Sequence, residues 1–432
     1  MRVLVVGGGG REHALVWKIA SSRNVEAVLA APGSDAIAAL ATCFPEIKAT
    51  DADALIQLAR TQNIGLVVIG PEDPLAAGLA DRLREAEIPT FGPSAVAAQL
   101  ESSKSFAKRF MARHGIPTAA FRAFSNLAEA RRYVRELGGA CVVKADGLAA
   151  GKGVAVCATP DEADRALVEI MESRRFGDAG CAVVVEELLL GEEVSYYAIT
   201  DGEHIATLAP AQDHKRALDG DRGENTGGMG AYSPVALVTE ALERRIVSEI
   251  VEPTVRGMAA EGHPFSGVLY VGLMIGADGA PRVIEFNVRF GDPETQPLMM
   301  RMEDDLFPIL YGAARGKLDP ADFPTRWGQA AVCVVLASGG YPRDYETGIP
   351  IEGLADLEGD PDVVVFHAGT ERSADGGFAT AGGRVLGVTA RGGDVSEAAA
   401  RAYAAADRIH FRGMQLRRDI AAAGFASRCS AR

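Results

Sequence analysis

Residues 142–154 read VVKADGLAAGKGV, an apolar run that delivers Lys144 and then a glycine-rich loop that carries a second lysine, Lys152. The run has the composition of a buried strand, and the glycines after it let the backbone turn tightly and approach a ligand closely. A P-loop is excluded. The spacing from Gly147 to Gly151-Lys152 is one residue short, and Gly153 stands where Ser or Thr would hold a magnesium ion. A flexible hairpin that folds over nucleotide phosphates, with Lys144 pairing their charge, fits better. A surface hairpin with solvated lysines is the plainer alternative.

Two later segments extend this reading. Residues 183–195 (VVVEELLLGEEVS) pass from a strand through an apolar hinge into acidic residues. The main chain of such a hinge can present N–H and C=O groups to an adenine edge, and a carboxylate beyond it can accept both ribose hydroxyls. A strand with solvated glutamates reads equally well. Residues 283–294 (VIEFNVRFGDPE) put Glu285 and Asn287 on one face of a strand, because side chains alternate with period two. A carboxylate beside an amide oxygen is a hard ligand pair, suited to magnesium that also touches ATP phosphates. Arg289 follows on that face as a planar fork for a carboxylate or phosphate. Exposed polar alternation is the alternative here.

At 432 residues the chain exceeds one ordinary core, and domains of about 100–200 residues imply two to four. Its 48% apolar and 24% charged residues are an ordinary globular balance. A net charge of −14 repels nucleic acid and anionic membranes, so neither is an expected partner. The six cysteines form no CxxC and mostly sit in apolar runs, which reads as buried free thiols. The chain opens on the strand-like MRVLVV and shows no apolar stretch of bilayer length, so a cytoplasmic location is expected.

Residues 1–100 alternate short apolar runs with helical patterns, which argues for a parallel, doubly wound sheet. In residues 3–13 (VLVVGGGGREH) the glycines fall between a strand and a helix start. Free N–H groups and the positive dipole end at such a place suit a phosphate ester, and a structural tight turn is the other reading. A dinucleotide fold is disfavoured. Glu12 stands where its last glycine belongs, and the second strand ends in Ala-Ala-Pro with no acidic residue for a ribose. Residues 104–115 (KSFAKRFMARHG) form an amphipathic helix stopped by Gly115 and Pro117. Beyond about residue 326 short β runs return, followed by a helix.

In their order these motifs resemble the ATP-grasp superfamily: Lys104, Lys144 with its hairpin, the hinge at 186–189, Glu193 and Glu285-x-Asn287. Within it the chain resembles the phosphoribosylamine–glycine ligase family (glycinamide ribonucleotide synthetases) along nearly its whole length. GGGGREHAL, GPE at 70–72, FGPS at 91–94, QDHKR at 212–216, NTGGMGAYSP from 225, EFNVRFGDPETQP, FHAGT and GGRVL carry the likeness.

The resemblance implies an α/β ATP-grasp fold with an N-terminal doubly wound parallel-sheet domain and a C-terminal mixed α/β domain. Its expected parts are 1–103 (N-terminal, substrate-binding), 104–120 (connecting helix), 121–190 (small lid), 191–325 (large subdomain) and 326–432 (C-terminal). It implies ATP-dependent joining of glycine to 5-phosphoribosylamine through glycyl phosphate, giving glycinamide ribonucleotide, ADP and phosphate. No cysteine is expected to be catalytic.

Carried over position by position, Lys104 and Lys144 contact ATP phosphates, and Asp146, Gly147, Gly151, Lys152 and Gly153 belong to the cover. Leu188 and Leu189 meet adenine beside Glu186 and Glu187, and Glu193 holds the ribose. Glu285 and Asn287 ligate magnesium or manganese, and the acid-free strand LYVGLMI at 269–275 implies a shell lean in carboxylates. Arg289 orients the glycyl carboxylate or acyl phosphate, with Asp213 and Lys215 near the amine and acyl groups. Gly9, Gly10, Arg11, Glu12 and His13, with Gly70, Pro71 and Glu72, sit near phosphoribosylamine. Thr226, Gly227 and Gly228 line the junction.

Ser34-Asp35 and Ala95 depart from the family's usual Asn-Ala and Lys, which weakens the carry-over at the phosphoribosylamine end. A monomer or weak homodimer is expected. The rival reading is another ATP-grasp carboxylate–amine ligase, or a carboxylase subunit working through carboxyphosphate.

Overall fold

The apolar run Arg2–Gly7 becomes the middle strand of a five-stranded sheet, in the order Thr42–Cys43, Ala27–Pro32, Arg2–Gly7, Leu66–Ile69, Thr90–Phe91. All four pairings are parallel. The chain builds outward to one side of Arg2–Gly7 and then to the other, so the order reverses there. Ligand crevices form beyond the carboxyl ends of strands at such a switch point, and the glycine loop and the 70–72 segment both lie there. The computed structural model describes residues 1–149 and 151–422. Ala150 of the hairpin, and Cys429 among the cysteines read as buried thiols, lie outside them.

The small subdomain is an antiparallel sheet ordered Phe121–Phe124, Val183–Glu187, Cys141–Ala145, Val154–Cys157. Helices Leu127–Leu137 and Pro160–Leu167 cover it, each opened by a side-chain cap, Asn126 and Thr159. Its core of Ala130, Val134, Val143, Leu167 and Val185 is separate from the main ones, so this piece packs as a unit.

The large subdomain carries an antiparallel sheet ordered Ile205–Thr207, Glu192–Thr200, Gly267–Ile275, Pro281–Asn287. Its last pairing contains a bulge, because Gly272 faces Glu285 while Leu273 faces Val283. Ile284 is the extra residue, and the bulge re-aims the strand. Val283, Phe286 and Val288 enter the core, while Ile284, Glu285, Asn287 and Arg289 face a cleft.

A further antiparallel sheet runs Gln212–Asp213, Gly230–Ser233, Ala330–Ala337, Arg384–Gly392, Val363–His367. It draws strands from both sides of residue 326, and helix Val395–Ala406 packs on it. Among the described cysteines all are free, and Cys141, Cys157 and Cys333 are buried as expected. Cys181 departs from that reading: it is exposed, preceding the strand rather than lying in it. No helix among the described residues is long and apolar enough to cross a membrane.

Candidate active site

One cleft of about 1080 Å³ lies between the lid sheet, the large sheet and the N-terminal loop. It gathers Lys104, Lys144, Gly151, Gly153, Glu186, Glu187, Leu188, Leu189, Glu193, Asp213, Lys215, Thr226, Gly227, Glu285, Asn287 and Arg289. Arg11 and Glu72 reach it from the N-terminal sheet. Asp146, Gly147, Lys152, Gly9, Gly10, Glu12, His13, Gly70, Pro71 and Gly228 are not on its lining.

At the lid end a buried carboxylate organises two lysines. Lys144 Nζ and Lys108 Nζ lie 3.0 and 2.9 Å from the same oxygen, Glu186 Oε2. Lys144 also donates to the Ile284 carbonyl at 2.9 Å, tying the lid to the large sheet. The other oxygen, Glu186 Oε1, is buried without a hydrogen-bond partner, which leaves an acceptor for a donor such as an adenine amine. Lys104 stands one helical turn before Lys108 and donates to the Gly147 carbonyl at 3.3 Å. Two ammonium groups share one buried carboxylate oxygen here and a third lies on the same helix, a basic cluster that suits polyphosphate. Burial is the main cause that lowers the Lys104 pKa, and Lys144 adds to it against Glu285. Lys108 falls to about 8, again by burial, with Glu186 opposing.

Asp146 works one step back from the cleft. Its carboxylate accepts the Ser105 N–H at 2.6 Å, while Ser103 Oγ caps the same helix, Lys104–Arg113. The hairpin root is thereby fastened to the helix that carries Lys104. Lys152 donates to the Pro342 carbonyl at 3.0 Å, away from the cleft, and Glu187 Oε1 accepts the Ala120 N–H at 2.9 Å.

In the middle of the cleft Lys215 Nζ lies 3.1 Å from Glu193 Oε2 and 3.8 Å from Glu285 Oε1. Burial works against the charge on Lys215, but Glu193, Asp213 and Glu285 together push its pKa well up. Asp213 shows the opposite balance. Burial, with Glu294, Glu193 and Glu285 nearby, lifts it to about 8 despite Lys215. Glu285 is held below its ordinary value by Lys215, Lys144 and Lys104 although burial opposes this. Among the described residues no three His, Cys, Asp or Glu converge as a metal cage. Glu285 and Asn287 on the cleft wall could give a hard cation two oxygen ligands, its shell completed by phosphate oxygens and water.

Arg289 is gripped from two sides. Its Nε lies 3.2 Å from Glu72 Oε2 and its Nη2 2.9 Å from Glu101 Oε1. Glu101 also accepts the Val288 N–H at 2.8 Å through Oε2. Glu72 is half-buried, and Arg289 and Arg11 hold it at about 2 against the cost of that burial.

The glycine loop differs from an open phosphate cradle. Glu12 Oε2 accepts the Gly9 N–H at 2.8 Å, and Glu12 Oε1 lies 2.5 Å from Arg11 Nε. The Asp292 carboxylate stands beside the same turn, its Oδ1 3.6 Å from where a Cβ on Gly10 would lie. Glu12 thus occupies a donor that a phosphate would use at helix Gly10–Ala20, with a second carboxylate next to it. His13 turns away and accepts the His367 N–H at 3.0 Å, edge-on to Phe366. Thr226 Oγ1 donates to the Lys215 carbonyl at 2.9 Å and accepts the Gly228 N–H at 2.9 Å, which sets the junction loop.

Reading the sequence missed Glu101, Lys108, Asp292, Glu294 and Arg384 as cleft residues. Lys108 had a signal, since it stands four residues after Lys104 on one helix face. Asp292, Glu294 and Arg384 lie inside recognised motifs that carried no role. Glu101 had no motif at all.

Comparison with known proteins agrees with this geometry. Family models match in chain order: the phosphoribosylglycinamide synthetase N domain at residues 1–101, its ATP-grasp (A) domain at 102–295 and its C domain at 331–423. The chain is 52% identical to phosphoribosylamine–glycine ligase of Allochromatium vinosum, covering 97% of this chain and 98% of that one. It is 51% identical to the enzyme of that name from Vibrio cholerae, with 97% of each chain covered. The crystal structure of phosphoribosylamine–glycine ligase from Thermotoga maritima matches with a TM-score of 0.84 at 33% identity, covering 97% of this chain and 100% of that one. A biotin carboxylase domain from Hydrogenobacter thermophilus, in complex with MgADP and bicarbonate, has a TM-score of 0.72 at 16% identity, with 96% and 91% covered. That last likeness speaks for the fold alone. The long matches at about half identity, together with the three domain models, establish that the chain belongs to the phosphoribosylamine–glycine ligase family.

Proposed function

We propose that this protein joins glycine to 5-phosphoribosylamine, converting ATP to ADP and phosphate and releasing glycinamide ribonucleotide, a step of purine biosynthesis. One observation carries the reading: family membership along nearly the whole chain coincides with one cleft where lysines, an oxygen-ligand pair and an arginine converge. ATP and a divalent ion complete the site, magnesium or manganese by the donor set of Glu285 and Asn287.

Lys104 and Lys144 bind the phosphates, and the Gly151–Gly153 turn closes over them and excludes water. Glu186 Oε1 and the main chain at Leu188 and Leu189 receive the adenine, and Glu193 accepts the ribose hydroxyls, sharing Lys215 as it does so. The metal, when bound, neutralises charge on the phosphates. Arg289, whose Nη1 also donates to the Phe290 carbonyl at 3.4 Å, turns its remaining N–H groups to the glycine carboxylate, whose oxygen attacks the γ-phosphoryl group to give glycyl phosphate. The amine of phosphoribosylamine then attacks the acyl carbon and phosphate leaves. In its ionised form, which grows as pH approaches 8, Asp213 beside Lys215 takes the proton that the amine sheds. Lys215 stabilises the charge that develops on the acyl oxygen. Arg11, Glu72 and the glycine loop border the amine substrate, with Thr226, Gly227 and Gly228 at the junction. The work is positioning and charge neutralisation rather than covalent catalysis.

The test is phosphate release from ATP and magnesium with glycine and freshly generated phosphoribosylamine, added singly and together. Release that needs both substrates and disappears in Glu285→Ala supports the proposal. Release with bicarbonate in place of glycine contradicts it.

A further inference from the structure

The GGRVL motif near the C-terminus has no part in the mechanism above, yet the structure puts its arginine at a three-way junction. Among the described residues lining the cleft, Arg384 alone comes from beyond Glu294. Its Nη1 donates to two carbonyls, Gly227 and Asp292, each at 2.6 Å. Its Nη2 lies 3.2 Å from Asp292 Oδ2. A planar fork can hold such a set in one geometry, which a lysine cannot.

Each partner leads to a different body of the fold. The Gly227 peptide is held at both ends by the C-terminal domain, since its N–H donates to Tyr341 Oη at 3.0 Å while its carbonyl takes Arg384. A Cβ on Gly227 would stand 3.0 Å from the guanidinium carbon, so glycine is what allows this approach. Asp292 accepts the Gln296 amide at 2.9 Å, and its Oδ1 stands against Gly10 at the start of the glycine-loop helix, 3.6 Å from where a Cβ there would lie. The order of contacts therefore runs from Arg384 through Asp292 to the N-terminal loop, and from Arg384 through Gly227 to Thr226 and the Lys215 carbonyl. Among the described residues no hydrogen bond or ion pair of Arg384 reaches Lys104, Lys144, Glu285 or Asn287, which hold the nucleotide end.

We propose that Arg384 is a positioning residue for the amine half of the reaction: it fixes the glycine loop and the junction loop at the spacing where the amine meets the acyl phosphate. The assignment rests on the ligase reading given above. It makes the C-terminal domain a working part of the cleft, and it separates glycine activation from amine transfer.

The experiment uses the full chain with ATP carrying heavy oxygen in the β,γ bridge. Glycine-dependent scrambling of that label reports activation, and glycinamide ribonucleotide formation reports the whole reaction. In Arg384→Ala scrambling should stay within about threefold of wild type while ligation falls about 100-fold, the size of loss expected from misplaced reacting groups. The KM for phosphoribosylamine should rise and that for ATP should not. Guanidinium ion added at millimolar concentration should restore ligation roughly tenfold by refilling the same hydrogen bonds. If Arg384→Ala does not fold, Arg384→Lys carries the test. It keeps the charge but not the fork, and it should show the same split at about tenfold. Parallel loss of scrambling and ligation in the variant that folds, or ligation equal to wild type, overturns the assignment. Absence of both activities in the wild type overturns the ligase reading with it, which keeps the two failures apart.

Discussion

Arg289 and Glu101 meet at 2.9 Å, and the same carboxylate takes the Val288 N–H at 2.8 Å, so one buried side chain sets both the backbone and the guanidinium just after strand Pro281–Asn287. Glu101 sits in the short helix Gln99–Ser102, directly before the helix that bears Lys104. Burial raises its pKa, and Arg289 is what keeps its charge there.

Glu101→Gln keeps the shape and the acceptor for Val288 but removes the charge that aims Arg289. The expected result is a fall in kcat of about tenfold with the KM for ATP unchanged, the mark of an interaction that matters only on the way to the transition state. A rise in the KM for ATP with kcat intact would show that the pair serves the nucleotide instead.

Lys108 and Lys144 share Glu186 Oε2, so removing one lysine leaves a buried carboxylate half compensated. Lys108→Met should destabilise the protein by about 3 kcal/mol in denaturant melts. Adding Glu186→Gln should recover part of that loss, because the two changes act on one interaction. Simple additivity of the two single changes is the outcome that sinks this account.

Asp213 gives the fold a pH slope. Its carboxyl has an ordinary value of 3.8 and is lifted to about 8 by burial and by Glu294, Glu193 and Glu285. The folded chain then holds this proton more tightly than the unfolded chain. The contribution is full below about 3.8, declines as pH rises and is gone above about 8. Asp213→Asn should therefore gain stability relative to wild type between those limits, measured as melting temperature against pH. An unchanged difference across that range would refute the buried-acid reading.

Three histidines act in the opposite direction. His13 is lowered from 6.5 to about 3, and His214 and His367 to about 4, in each case mainly by burial. All three stay neutral when folded, so their stability is present above about 6.5 and is lost as pH falls toward 4 and then 3. His13→Asn retains an acceptor for the His367 N–H and should flatten the acid limb of the stability curve. The same limb in both proteins would contradict this.

What could be read from the sequence follows from how local each signal is. Strand Arg2–Gly7, the strand that delivers Lys144 and the Glu285–Asn287 alternation are written in neighbouring residues, and the fold has the two strands and puts both side chains of that pair on the cleft. The bulge at Ile284 was invisible, because it is set by pairing with Leu273 and Gly272 on another strand. The glycine loop looked like an open anion site because Glu12, which fills the Gly9 N–H, and Asp292, which stands against Gly10, arrive by side-chain reach and by tertiary folding. Lys152 reads as part of the cover over the phosphates, and only the approach of the C-terminal domain gives its bond to the Pro342 carbonyl. Glu101 could not be found at all, since its partners lie on a strand far along the chain.

The central claim is that the glycine carboxylate is itself phosphorylated. The direct measurement uses glycine with heavy oxygen in its carboxylate, together with ATP, magnesium and phosphoribosylamine, and locates the label by mass spectrometry. The account requires one labelled oxygen in the released phosphate for each glycinamide ribonucleotide formed. Product formation with unlabelled phosphate would contradict it, because the bond to phosphorus would then have formed on some other oxygen.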